Sequence, residues 1–75
     1  MLVQGTAEYF SMHYTVEELR GGWHVIQEDV SAPRELLAVA KASREPGMYR
    51  TAATCEPHRH YFWRSSEGRV EALDS

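Results

Sequence analysis

The segment from Cys55 to Arg64 (Cys-Glu-Pro-His-Arg-His-Tyr-Phe-Trp-Arg) gathers three consecutive aromatic rings, two arginines, two histidines and the only cysteine of the chain around one proline. Metal binding is the first chemistry such a set suggests. Cys55, His58 and His60 place three nitrogen or sulfur ligands within six residues, a spacing that a hairpin can close around zinc. A structural site needs a fourth ligand. His13 or His24 would have to bring it from the other half of the chain, and neither stands in a partner motif such as a second Cys-x2-Cys. We therefore read Cys55 as a small buried side chain beside solvated turn histidines, with no cofactor. Cys55, His58 and His60 stay the candidates for a zinc-stabilised module.

Catalysis is the second. Cys55 with His58 or His60 imitates a nucleophile and its base, and Glu17-Glu18 or Glu28-Asp29 imitates a carboxylate pair. Neighbouring residues on a strand point to opposite faces, so neither acidic pair shares a site. A chain this short has little room for both a core and a water-excluding pocket. The expectation is a protein that is not an enzyme.

Composition narrows the field further. Seventy-five residues make one domain, small enough that such chains often gain stability by oligomerising or docking on a partner. With 43% apolar and 25% charged residues the chain has the make-up of a globular domain. The net charge of −3 argues against a general duplex-DNA binder. The start of the chain has no basic region followed by an apolar core, and no run approaches a membrane span, so neither a secretory leader nor a membrane anchor is expected. A lone cysteine fits a reducing, cytoplasmic setting. Seven arginines against one lysine, with no asparagine, suggest a GC-rich genome, that of a bacterium or its phage.

The elements that must position these residues follow from periodicity. Residues 1–11 read as a leader or an edge extension, and 12–75 as a single α+β domain. Met12, Tyr14 and Val16 alternate with His13, Thr15 and Glu17, which predicts a half-buried strand from Met12 to Leu19. Gly21-Gly22 suits a two-residue hairpin turn, with the return strand at 23–28. That register puts Arg20 opposite Trp23 and Glu18 opposite Val25, so Tyr14, Val16, Trp23 and Val25 share the core side. A helix follows, capped by Ser31, with Pro33 in its first turn and Pro46-Gly47 at its end. Pro33, Leu36, Leu37, Val39 and Ala40 form its apolar stripe, with Arg34, Lys41 and Glu45 opposite. Residues 48–55 and 60–64 predict two more strands, and 69–73 leaves room for a short fifth. The expected fold is a single amphipathic helix packed on one face of an antiparallel sheet, in the order β-β-α-β-β.

Pairing Cys55 opposite His60 sorts the second hairpin into two faces. One carries Met48, Arg50, Ala52, Tyr61 and Trp63; the other carries Tyr49, Thr51, Ala53, Phe62 and Arg64. Only one of them can lie under the helix. If Phe62 is buried, Tyr61, Trp63 and Arg50 stand exposed. Rings beside arginine on an open sheet can stack unpaired bases, which makes single-stranded nucleic acid an alternative ligand. The same residue types dominate protein interfaces, and three rings in a row exceed what one helix covers. Arg50, Tyr61, Trp63 and Arg64 are therefore the candidate partner-binding residues, with Trp23 assigned to the core. The partner is another protein or a second copy of the chain.

The arrangement Tyr14-Thr-Val-Glu, Gly-Gly-Trp23-His-Val, Leu36-Leu-Ala-Val-Ala40 and Gly47-Met-Tyr-Arg is similar, in size and layout over residues 12–64, to small ββαββ proteins of phages and mobile elements. Some of those inhibit host defence, anti-CRISPR proteins among them. The resemblance implies a small regulator or inhibitor that acts by binding a host protein complex, and it transfers no functional residue.

Overall fold

In a computed structural model that describes residues 12–53 and 58–73, five strands and one helix follow one another as β1 (Met12–Leu19), β2 (Trp23–Ala32), α1 (Glu35–Ala42), β3 (Gly47–Ala53), β4 (Arg59–Arg64) and β5 (Val70–Ala72). The strands form one antiparallel sheet in the order β2-β1-β3-β4-β5. Strands β2 and β3 both run antiparallel to β1 and hence parallel to each other. Such a connection needs a crossover, and α1 supplies it. The chain is thus an α+β fold with its helix on one side of the sheet. None of its described helices is long and apolar enough to cross a membrane.

Tyr14, Val16, Val30, Ala32, Tyr49, Ala53 and Phe62 bury one sheet face against Ala38, Val39 and Ala42 of the helix, with Met12, Leu36 and Val70 packed around them. Two of the three helix contacts are alanines, which lets the helix axis lie close to the sheet. An eight-residue helix is only about 12 Å long, whereas five strands span roughly 19 Å between their outer axes. One face is partly roofed. The other has no cover among the described residues.

The first hairpin departs from the expected register. Leu19, not Arg20, pairs with Trp23, and Glu18 meets His24. The loop is therefore Arg20-Gly21-Gly22, closed by an Arg20 N–H bond to the Gly22 carbonyl at 2.8 Å. Gly21 sits at φ +70°, the left-handed position that a three-residue hairpin loop requires. This one-residue slip sends Trp23 and Val25 to the face of Leu19 and Glu17, away from the helix. The core assignment of Trp23 and Val25 is overturned, because a strand has period two. Two bulges then restore the pairing. Ile26 is extra between Val25↔Glu17 and Gln27↔Val16, and Glu28 and Asp29 together oppose Thr15. Asp29 adopts φ +60° there, and its Oδ1 lies 2.9 Å from His13 Nδ1. Val30 and Ala32 return to the core face.

The helix is shorter than its sequence suggests. Ser31 belongs to β2, opposite His13. The ring of Pro33 holds Ala32 in the extended region, so helical geometry cannot begin at Ser31. The N-cap position is Arg34, with no side-chain cap. The helix ends at Ala42, and the Ser43 N–H bonds back to Val39 O at 2.8 Å. Its buried stripe is Ala38, Val39 and Ala42, while Leu37 and Ala40 face outward.

In the second hairpin Thr51, not Cys55, stands opposite His60, and Ala52 opposite Arg59. That shift of four residues (55 to 51) is even, so each side chain keeps its expected face. Phe62 goes under the helix. A turn at Ser65 leads into β5: Ser65 O accepts from Gly68 N–H at 2.9 Å, and Ser65 Oγ accepts from Glu67 and Arg69 N–H at 3.2 and 3.1 Å. The readings of residues 1–11 and of Cys55 fall outside the described residues.

Candidate functional site

The uncovered face is built by cross-strand neighbours. Glu17 pairs with Val25 on one side and Arg50 on the other, and Arg50 with Tyr61. Leu73 N–H bonds to Tyr61 O at 2.8 Å and extends this row beyond β5. A second row runs beside it: Leu19 pairs with Trp23, Met48 with Trp63, and Trp63 with Glu71. Partners across a ladder point to the same side, so all these side chains share one surface.

At its centre Arg50 binds Glu17 Oε1 through Nη2 at 2.6 Å and Nε at 2.7 Å. Both side chains are mostly shielded, at 18% and 12% exposure. The guanidinium lies over the Trp23 ring, 4.4 Å from its centroid. The Tyr61 ring meets Trp23 edge-on, with centroids 5.7 Å apart and planes at 64°. Desolvation works against the Arg50 charge, but hydrogen bonding to Glu17 and Tyr61 and the charge of Glu17 outweigh it, so its pKa rises. The cation is fixed and neutralised.

Around this centre the face is apolar. Leu19 is 42%, Val25 51%, Trp63 46% and Leu73 47% exposed. These are four of the six large hydrophobic side chains that the described residues expose. Scattered singly they would need no explanation; gathered on one face they form a patch.

Of the four residues predicted to bind a partner, Arg50, Tyr61 and Trp63 come together here. Arg64 does not. It alternates with Trp63 onto the helix side, where Nη1 donates to the buried Ser43 Oγ at 2.9 Å. Leu19, Trp23, Val25 and Leu73 were missed by sequence reasoning. The signal for Leu19 was its parity with Glu17 along β1, and that for Trp23 and Val25 was the length of the Gly-Gly loop, which sets the parity of the return strand.

The metal candidates are described only in part. Cys55 lies outside the described residues, His58 is exposed, and His60 Nε2 faces Glu35 Oε2 at 3.7 Å. Among the described residues no three His, Cys, Asp or Glu side chains are placed to hold a metal ion.

On the helix side a cleft of about 320 Å³ lies between the first hairpin and the end of α1, lined by Glu18, Arg20, Ile26, Gln27, Arg44 and Tyr49 among others. Arg20 spans it, 3.2 Å from Glu18 Oε2 and 2.7 Å from Glu45 Oε1. The Tyr49 hydroxyl donates to the Glu45 carbonyl and lies 3.2 Å from Glu18 Oε2. Burial, and then the Glu18 charge, push the Tyr49 pKa up. These polar groups satisfy one another and tie the hairpin to the helix end.

Comparison with protein-family models, with curated proteins and with solved structures returns no match to this chain.

Proposed function

We propose that this chain is a small, non-enzymatic protein-binding module, a regulator or inhibitor that acts by occupying a protein surface through the open face of its sheet. One observation carries the reading. Leu19, Val25, Trp63 and Leu73 are exposed together around a locked Glu17–Arg50 pair, which is an apolar surface around a neutralised centre. Interfaces are built this way: rings and an arginine at the centre, few free charges.

The sheet edges suit association less well. β2 carries two bulges and the acidic pair Glu28-Asp29, and β5 has three residues, both devices that blunt edge pairing. Single-stranded nucleic acid is disfavoured by the same central cluster. Its cation is spent on Glu17, and one Trp23 face is taken by Arg50, whereas strand binding uses free cations and free ring faces.

Photo-crosslinking in the source cell tests the proposal. A benzophenone side chain at Val25 should yield protein adducts, and the same group at Ala40, on the exposed side of the helix, should not. Adducts chiefly to nucleic acid, or equal yields at both positions, would overturn it.

A further inference from the structure

We infer that the cleft between the first hairpin and the end of α1 binds a small zwitterion, an α-amino acid with an apolar side chain. Its carboxylate lies toward Arg44 and its ammonium toward Glu18 and Glu45. The site is on the helix side, away from the open face, so the inference stands apart from the protein-binding reading.

Local structure makes the room. The helix stops at Ala42, a residue that lines the cleft, while β1 and β2 run on to their Arg20-Gly21-Gly22 loop. The bulge at Ile26 supplies one wall. Gln27 pairs with Val16 and shares its side of the sheet, and Ile26 lines the same cleft. A regular strand sends neighbouring side chains to opposite faces. The extra residue of a bulge lets two in succession face one way. The resulting space of about 320 Å³ is at the low end for small-molecule sites, which suits a ligand of amino-acid size.

Charge selects the ligand. Glu18, Glu45, Arg20 and Arg44 line the cleft, and their charges sum to zero, but they are not paired evenly. Arg20 serves both carboxylates, 3.2 Å from Glu18 Oε2 and 2.7 Å from Glu45 Oε1. One negative charge is left over. Tyr49 registers it, since the Glu18 charge adds to the burial that raises its pKa. Arg44 has no ion pair among the described residues, so one positive charge is left over as well.

A simple anion at Arg44 would meet the surplus of Glu18 and Glu45, and a simple cation would meet Arg44. A molecule with both signs answers both. The Gln27 side-chain amide, with no hydrogen bond of its own among the described residues, can donate to one pole or accept from the other. Ile26, 38% exposed, offers an apolar surface to the ligand's side chain. Water reaches the cleft and screens these contacts, so a dissociation constant on the order of 1 mM is expected.

Two-dimensional ¹⁵N NMR of the full chain, titrated with L-leucine from about 0.1 to about 20 mM, brackets that constant. The Gln27 side-chain amide and Arg44 Nε–H signals should shift and saturate. The indole N–H of Trp63, on the open face, should not move. N-acetyl-L-leucine lacks the ammonium and L-leucinamide lacks the carboxylate; each should bind at least about tenfold more weakly, the worth of one charge-assisted bond. Arg44→Gln should abolish the saturable shift at Gln27 with the rest of the spectrum intact, because Arg44 is exposed. Lys41→Gln removes the same charge from the helix outside the cleft and should bind as the parent does. Absence of a saturable shift up to the highest concentration overturns the inference, as does equal binding of either capped analogue or undiminished binding by Arg44→Gln.

Discussion

Arg50 lies over Trp23 at 4.4 Å while it holds Glu17 at 2.6 Å. This joins a strand-end tryptophan to the centre of the sheet through a single guanidinium. The relationship explains why Trp23, a large ring close to a loop, packs on a face that has no helix over it. Its ring covers the cation, and the cation shields part of the ring from water. An exposed cation–π contact contributes about 0.5–1 kcal/mol, and a desolvated one about 2 kcal/mol.

The Glu17–Arg50 pair should behave as a unit. Arg50→Met leaves the shielded Glu17 carboxylate without its cation and should destabilise the fold, since a mostly covered charge loses its partner. Glu17→Gln should cost less, because the guanidinium keeps the Trp23 ring. The double variant should be more stable than Arg50→Met alone. Urea unfolding of the four proteins closes the cycle; additive costs would show that the two side chains do not interact.

Arg64 serves the fold rather than the face. Its bond to Ser43 Oγ satisfies a buried hydroxyl at the helix C-terminus. Arg64→Ala should lower stability by about 1 kcal/mol, the value of a typical hydrogen bond plus some lost stem packing. It should leave the yield of protein adducts from Val25 unchanged once the protein is folded. A loss of those adducts at full stability would place Arg64 in the interface after all.

How far these roles were legible in the sequence depends on what fixed each one. The strand at Met12–Leu19 was plain, because its alternation survives any partner. The side chains of β4 could be sorted into faces, since parity holds under an even shift of register. Trp23 was misplaced because Gly21-Gly22 fits a two-residue and a three-residue loop equally well, and the choice flips the whole return strand. The bulges at Ile26 and at Glu28-Asp29 have no local signature. The late helix start was legible in principle: Pro33 constrains Ala32 more strongly than Ser31 can cap. The Glu17–Arg50 contact spans 33 positions in the chain and exists only because β1 and β3 are neighbours, which no local pattern specifies.

Alkaline pH should loosen the hinge between the first hairpin and the helix. Burial and Glu18 raise the Tyr49 pKa above its ordinary value of 10.0. The neutral phenol is the form that fits, so its contribution is whole below the unfolded-state pKa. It disappears as pH climbs through the raised folded-state value. Melting temperature should stay level from neutral pH to about 9 and fall beyond about 10, where unfolded tyrosine ionises. Tyr49→Phe removes that proton; its melting curve should start lower and decline less steeply above pH 10. An equally steep decline in the variant would assign the alkaline limb to another group.

Thr51 offers a gain in stability. Its side chain is buried in the third strand, and its Oγ1 has no hydrogen-bond partner among the described residues. An orphaned buried hydroxyl costs on the order of 1–3 kcal/mol relative to water. Valine has nearly the same shape, keeps the β-branched fit to a strand and brings no unsatisfied atom. Thr51→Val should therefore stabilise the protein by about 1 kcal/mol, less than the full desolvation cost because side chains relax around the hydroxyl. Urea denaturation reads the effect as a higher midpoint with an unchanged slope. A lower midpoint would mean that the hydroxyl is satisfied in solution.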